Sequence, residues 1–261
     1  LFMTLQAAFK ILMSRYSGQN DISVGTSIAN RTSQAVENLI GFFVNTLALR
    51  NEVNENESFA ELLKNIKATT VEAFDHQDVP FEKVVDAVVK ERDPARTPLF
   101  QVMLVQQYLP DISEYKLGKV KLLNESFDLH SSKFEITFFV SETANGLKGT
   151  VEYSTELFKE ETINRMVIHF KELLSSAVKN PEEKVGKLEM TSEKEEKGLL
   201  KVMVGKKVKY PNVSVVDLFV KQVMESAEKI VVVFEDQSLT YRELHERSNA
   251  LAHYLRSKGV K

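Results

Sequence analysis

Cysteine is absent from all 261 residues, which removes disulfides, thiolate catalysis and sulfur-ligated metals together and is compatible with a reducing compartment. Long apolar runs are absent too. Leu1 to Leu12 is interrupted by Thr4, Gln6 and Lys10, and no later run approaches the ~20 apolar residues of a membrane span. Nothing reads as a secretory leader, and a cytoplasmic location is expected. A net charge of -3 supplies no concentrated basic field of the kind nucleic-acid binders carry, and no charge block stands out. The five histidines, His76, His130, His169, His245 and His253, are all isolated from one another. Gly-rich phosphate loops, zinc-type spacings and the G-x-S-x-G elbow are missing, so nucleotide, metal and serine-hydrolase chemistry have no local support.

What is present is enough for one or two ordinary domains, with 43% hydrophobic residues. Phe2, Leu5, Phe9, Leu12 and Tyr16 recur at spacings of three and four, one face of a helix that Gly18 stops. That helix starts at the first residue without cap or lead-in, so the chain is expected to be cut from something longer. Asp21 to Asn30 and Gly41 to Leu49 read as strands, the first with Gly25 set in it. Phe59, Leu62, Leu63, Ile66, Thr70 and Phe74 form a helical stripe, and Pro80 suits the first position of a further short helix. Leu99 to Tyr108 reads as a buried strand. Lys133 to Val140 and Gly149 to Ser154 flank Asn145-Gly146, a strong hairpin signal. Ile163, Met166, Val167, Phe170, Leu173, Leu174 and Val178 then share one side of a long helix. Helices mixed with strands indicate an α/β (α+β layered) lobe over residues 1–180.

After Asn180-Pro181 the chain turns rich in Lys and Glu, with a capping-box pattern at Ser192-x-x-Glu195, and residues 181–210 read as a linker with one small helix. A new unit, 211–261, carries a helical face (Val215, Leu218, Phe219, Val223), a strand at Lys229 to Phe234, a turn at Asp236, and a last helix capped by Thr240 with Glu243.

Two phrases carry a family resemblance: Ile40-Gly-Phe-Phe-Val-Asn-Thr-Leu-Ala-Leu-Arg50, and the run from His76-Gln-Asp-Val-Pro-Phe-Glu82 to Arg92-Asp-Pro-Ala-Arg-Thr-Pro-Leu-Phe-Gln-Val-Met103. They resemble late core motifs of the condensation domain of nonribosomal peptide synthetases. Leu239-Thr-Tyr-Arg-Glu-Leu244 with Ser248 to Gly259 resembles the opening of an adenylation domain, which follows condensation in those synthetases. The resemblance implies a chloramphenicol-acetyltransferase-like fold whose C-terminal lobe is residues 1–180, and peptide-bond formation between carrier-bound thioesters in the parent enzyme. The family's His-His-x-x-x-Asp-Gly signature is not in this sequence, so no catalytic residue is assigned and the chain alone is expected to be inactive. Two departures keep the family intact: Glu135 stands where Asp is more usual, and Ser27 where proline is common.

The resemblance also implies partners: the upstream condensation half, peptidyl carrier domains with their phosphopantetheine arms, and the remainder of an adenylation domain that uses ATP and Mg. No cofactor is expected on this chain itself, and no metal. Asn45, the polar residue of an apolar strand, either faces the substrate tunnel or holds backbone groups. His76 and Asp78 either act in chemistry or cap the junction at Pro80. Arg92 and Arg96 either bind a carrier phosphate or pair with Asp93 or Asp86. Gly25 and Thr26 either let backbone approach the tunnel or mark a bulge. Arg50 closes the first motif. A non-catalytic docking platform and an epimerisation domain of the same fold are alternatives, and an apolar seam formed by Phe42, Val44 and the Leu1–Tyr16 helix is expected to drive a homodimer.

Overall fold

The computed structural model describes residues 1–91, 93, 96–107, 116–117, 120–121, 131–143, 146–205 and 208–260. Arg92, Tyr108, His130 and Asn145 lie outside the described residues. Two compact units divide the chain, Leu1–Lys201 and Val202–Lys261.

The first unit opens with α1 (Phe2–Ser17), ended by Gly18 at φ 68°, whose N–H bonds Ser14 O. A left-handed residue that closes a helix in this way is sterically free only for glycine. Strand β1 (Asp21–Ile28) follows, then the one-turn α2 (Gln34–Glu37) and β2 (Asn45–Glu52). Next come α3 (Phe59–Asp75), α4 (Phe81–Val88), β3 (Val102–Gln107), the ribbon β4 (Lys116–Leu117) with β5 (Val120–Lys121), and the hairpin β6 (Ile136–Thr143) and β7 (Gly146–Tyr153). Helix α5 (Glu160–Lys179) leads through a 3-10 turn, Val185–Lys187, to α6 (Glu193–Met203).

One five-stranded sheet runs in the order β2-β1-β3-β6-β7. The β1–β2 and β6–β7 pairs are antiparallel, while β1–β3 and β3–β6 are parallel. Strict alternation sends Ile22, Val24, Leu104, Ile136, Phe138 and Val140 to one face, where α1 lies with α3 and α5 on either side. Phe9 of α1 packs on Phe138 at 5.0 Å and edge-on against Phe170 at 6.2 Å. Everything from Leu5 to Ser14 is consequently buried. This corrects the expectation of a one-faced helix contributing to an exposed seam: polar positions such as Gln6 and Lys10 point into neighbours rather than solvent.

The opposite face is thinner. Phe100 covers it, between Phe81 and Phe134 at 5.5 Å each. Its ring lies on Gly25, where a Cβ would come within 2.2 Å of Phe100 Cε2. β1 keeps an unbroken register against β2 from Asp21 to Ile28, so Gly25 is a packing contact and not a bulge.

The Lys/Glu-rich segment behaves differently from a free linker over its first part. Val185 and Leu188 are buried in the main core. Phe59 and Ala60, whose amides open α3 and lack helical partners, donate to Glu183 O and Pro181 O. Arg15 donates to Leu188 O at 2.8 Å and Val185 O at 2.7 Å.

The second unit holds α7 (Val215–Ser226), a hairpin of β8 (Ile230–Phe234) and β9 (Gln237–Thr240), and α8 (Tyr241–Ser257). Glu235 takes φ 52° in its turn. Capping boxes begin both helices, at Ser214 with Asp217 and Thr240 with Glu243.

Candidate functional site

The residues singled out from sequence fall at two ends of the sheet. Asn45 starts β2 opposite Ile28. Its Nδ2 donates to Gln77 O and Val79 O, both at 2.8 Å, and its Oδ1 accepts from Phe81 N at 3.1 Å and Thr46 N at 2.9 Å. The whole amide is thus used to fix the α3–α4 junction against the sheet. The apolar positions before it, Leu39, Ile40, Phe42 and Val44, are exposed, and the expected strand from Gly41 begins only at Asn45.

His76 is the C-cap of α3 and Asp78 lies two residues on, both exposed; no hydrogen bond or ion pair joins them. Pro80 is the N-cap of α4 rather than its first residue. Thr26 is buried, and it borders with Ser27, Phe2, Gln106, Gln107 and Glu142 a recess of about 240 Å³ at this same end of β1. Arg96 pairs with Asp93 at 4.0 Å, both side chains exposed.

Arg50 stands apart. Five residues beyond Asn45 on β2, about 17 Å at the rise of a strand, its Nε and Nη2 grip Asp21 in a bidentate pair (2.9 and 2.5 Å). Hydrogen bonding to the guanidinium is the main cause that lowers the Asp21 carboxyl below its ordinary range, and it raises Arg50 in turn. Arg50 and Asp21 border a second, larger cleft of about 700 Å³. Among the described residues no group of three or more metal-ligating side chains exists.

Comparison with known proteins bears on this geometry. The family model described as "Condensation domain" matches residues 1–200, and "AMP-binding enzyme" matches 219–261. The chain belongs to the condensation-domain family. A linear gramicidin synthase of Brevibacillus parabrevis is 43% identical over 100% of this chain and 5% of its own length. Bacitracin synthase 3 of Bacillus licheniformis is 40% identical over 100% of the chain and 4% of its own, and surfactin synthase subunit 1 of Bacillus subtilis is 37% identical over 100% and 7%. The chain therefore spans a small part of the curated relatives it matches. A four-domain nonribosomal peptide synthetase bound to AMP and glycine aligns over 100% of this chain and 21% of that one, with TM-score 0.75 and 24% identity. The condensation domain from Monacolin K polyketide synthase aligns over 70% and 42%, with TM-score 0.63 and 22% identity. Both likenesses show the fold.

Two polar constellations in this condensation-family lobe have no counterpart in the sequence motifs. Lys10, fully buried, donates to Leu49 O at 2.8 Å and Asn51 Oδ1 at 2.5 Å, and Asn51 passes the chain on to Thr69. Burial lowers its pKa from 10.5 to about 7, and the Asp21 charge opposes that only in part. The second is a relay. Tyr16 Oη lies 2.8 Å from His169 Nδ1, and His169 Nε2 lies 2.7 Å from Glu195 Oε2. A carboxylate accepts, so Nε2 donates to Glu195; the bond between Nδ1 and Tyr16 runs from the hydroxyl to a neutral ring, or from the ring when it is protonated. Burial raises the Tyr16 pKa, with Arg165 opposing. Three residues from three helices make this chain, and sequence offers no period that would link them.

Proposed function

We propose that this chain serves a nonribosomal peptide synthetase as the C-terminal lobe of a condensation domain (1–180), joined by 181–210 to the start of an adenylation domain (211–261). The whole protein would form peptide bonds between thioesters carried on phosphopantetheine arms, in the cytoplasm. One observation carries the reading: a condensation match and an AMP-binding match follow each other along one chain whose relatives, peptide-antibiotic and lipopeptide synthetases among them, align over all of it.

In the reaction an acceptor amine attacks the donor thioester carbonyl; the C–N bond forms, the C–S bond breaks, and the thiol leaves. A base must take the amine proton and donors must hold the oxyanion. No adjacent histidine pair exists here, so the base belongs to the other half of the domain. This lobe supplies a wall at the Asn45 end, where Thr26 and the junction held by Asn45 face the seam. Arg96, in a long exposed pair with Asp93, is loosely enough held for a carrier phosphate to compete for it. Between residues 206 and 261 the one glycine is Gly259; with no phosphate loop to fit ATP and Mg, no adenylation step is assigned to these residues. Self-association through the exposed Leu39–Val44 stretch belongs to this reading, without the α1 contribution.

The test incubates the chain with donor-loaded and acceptor-loaded carrier proteins, alone and as a longer protein that includes the upstream half. Dipeptidyl-carrier product is expected only from the longer protein. Product from the 261 residues alone, or from neither, would sink the reading. A non-catalytic docking platform is favoured by a specific feature, the stitching of residues 181–188 onto α3 and α1; it predicts carrier or adenylation-domain binding without turnover.

A further inference from the structure

We propose that the cleft at the Arg50 end of the sheet binds an apolar primary ammonium ion, with Glu135 as its counter-charge. This site is separate from the Asn45 end and does not rest on the condensation reading. Its volume, about 700 Å³, falls in the range of small-ligand sites. Met13, Val84, Leu99, Val102, Phe158 and Met166 make its walls apolar.

The polar groups decide what fits. Of the polar groups along the wall, Tyr16 lies 2.8 Å from His169 Nδ1, Ser17 Oγ donates to Ser14 O, and the Gln101 amide nitrogen donates to Thr97 O at 2.9 Å, while Ser23 and the Gln19 amide are neutral and bring no charge. Arg50 is held by Asp21, and those two charges cancel. The charge left over belongs to an acceptor. Gln101 is left with its amide oxygen, and the half-buried Glu135 carboxylate has no hydrogen bond or ion pair among the described residues. Glu135 sits where β6 begins, its backbone fixed by bonds to Gln101 O and from Ser154 N, so its carboxylate is anchored at the cleft. A partly desolvated, unpaired carboxylate is unfavourable, and a cation that brings N–H donors relieves it. An ammonium group offers three such donors and an attached apolar body fills the walls. An anion would meet the Glu135 charge, and a neutral alcohol would leave it unpaired.

The test titrates the 261-residue chain, with methyl-labelled methionine, against 2-phenylethylammonium, 2-phenylethanol and 3-phenylpropanoate. Saturable shifts of the Met13 and Met166 methyl signals are expected with the ammonium, at least about tenfold tighter than with the alcohol, the usual scale of a charge-assisted bond. Glu135→Gln should erase that preference, and Glu135→Lys should transfer it to the carboxylate, with the other methyl signals reporting that each variant is folded. A capped Phe-Lys dipeptide separates a free amine from a lysine side chain of a protein partner, according to which binds tighter. Equal binding of ammonium and alcohol to the native chain, no binding of either, or ammonium binding undiminished in a folded Glu135→Gln would overturn the proposal. The three-probe comparison on the native chain decides the matter even where a variant does not fold.

Discussion

Gly25 and Lys10 show how much a single position carries in this lobe. The Phe100 ring over Gly25 is itself wedged between Phe81 and Phe134 and cannot swing away. Gly25→Ala is expected to lower stability by about 1–3 kcal/mol, measured by chemical denaturation, and Phe100→Leu in the same chain should recover part of the loss. Lys10 makes a pH prediction. Its folded pKa of about 7 lies below the ordinary 10.5, so between those values the unfolded chain binds a proton that the folded chain has released, and stability rises with pH through that window. Below it, both states hold the proton and the cost of a buried charge stands in full. Subtracting the denaturation profile of Lys10→Met from that of the native chain should leave a difference that climbs from about pH 7 to 10.5 and is level on either side; a level difference throughout would refute it. Gly25 was legible as a residue with a backbone reason, since glycine inside a strand pattern signals close approach. Lys10 was not, because a lysine in an apolar stripe reads as an interruption until its partners on β2 are known.

At the scale of elements, several stop and cap signals held, the strand start at Gly41 and the place of Pro80 did not, and long-range contacts were silent. Gly18 ended α1 as expected, and Thr240 with Glu243 capped α8. Gly146, at φ 117°, opens β7, and the Asn145 half of the hairpin signal lies outside the described residues. The Ser192-x-x-Glu195 pattern is instructive for its half-failure: Ser192 Oγ does accept from Glu195 N at 3.3 Å, yet the Glu195 carboxylate turns away to His169. A buried histidine outcompetes the cap because a charge-assisted bond in a shielded place is worth more than an exposed one. Glu195→Gln keeps a side chain of the same size but loses the charge, and His169→Phe removes the link altogether. Amide exchange over Glu193–Leu200 is expected to quicken in both, more in His169→Phe, while the amides of α3 stay as they were. Unchanged exchange in α6 would mean that packing alone holds it. Asn45 tells the same story for the candidate site: sequence marked it as the polar residue of an apolar strand, while its four partners, at 32 to 36 positions' separation for all but Thr46, needed the fold.

The two units differ as whole bodies. The first has a continuous core from α1 through the sheet to Leu188. In the second, no described residue from 202 to 260 is buried, and Val215, Val216, Val233, Phe234 and Tyr254 are exposed. A unit of this size is marginal even with a core. Hydrogen exchange should therefore find amides of α7 and α8 close to unprotected while those of α1 and β1 are protected, and limited proteolysis should remove the second unit first. Comparable protection in the two would show that the exposed apolar faces are covered in solution. The central place of α1 has a further consequence, one of timing. Helix α1 is made before α5, so Tyr16 waits 153 residues for His169 and Arg15 waits 173 for Leu188. At about 5–20 residues per second on the ribosome, that is roughly 8–35 seconds in which a helix buried on every side in the folded chain has no α5 to cover it. Folding of this lobe is paced by its own synthesis, and the interval before α5 emerges is when a chaperone would find most to hold.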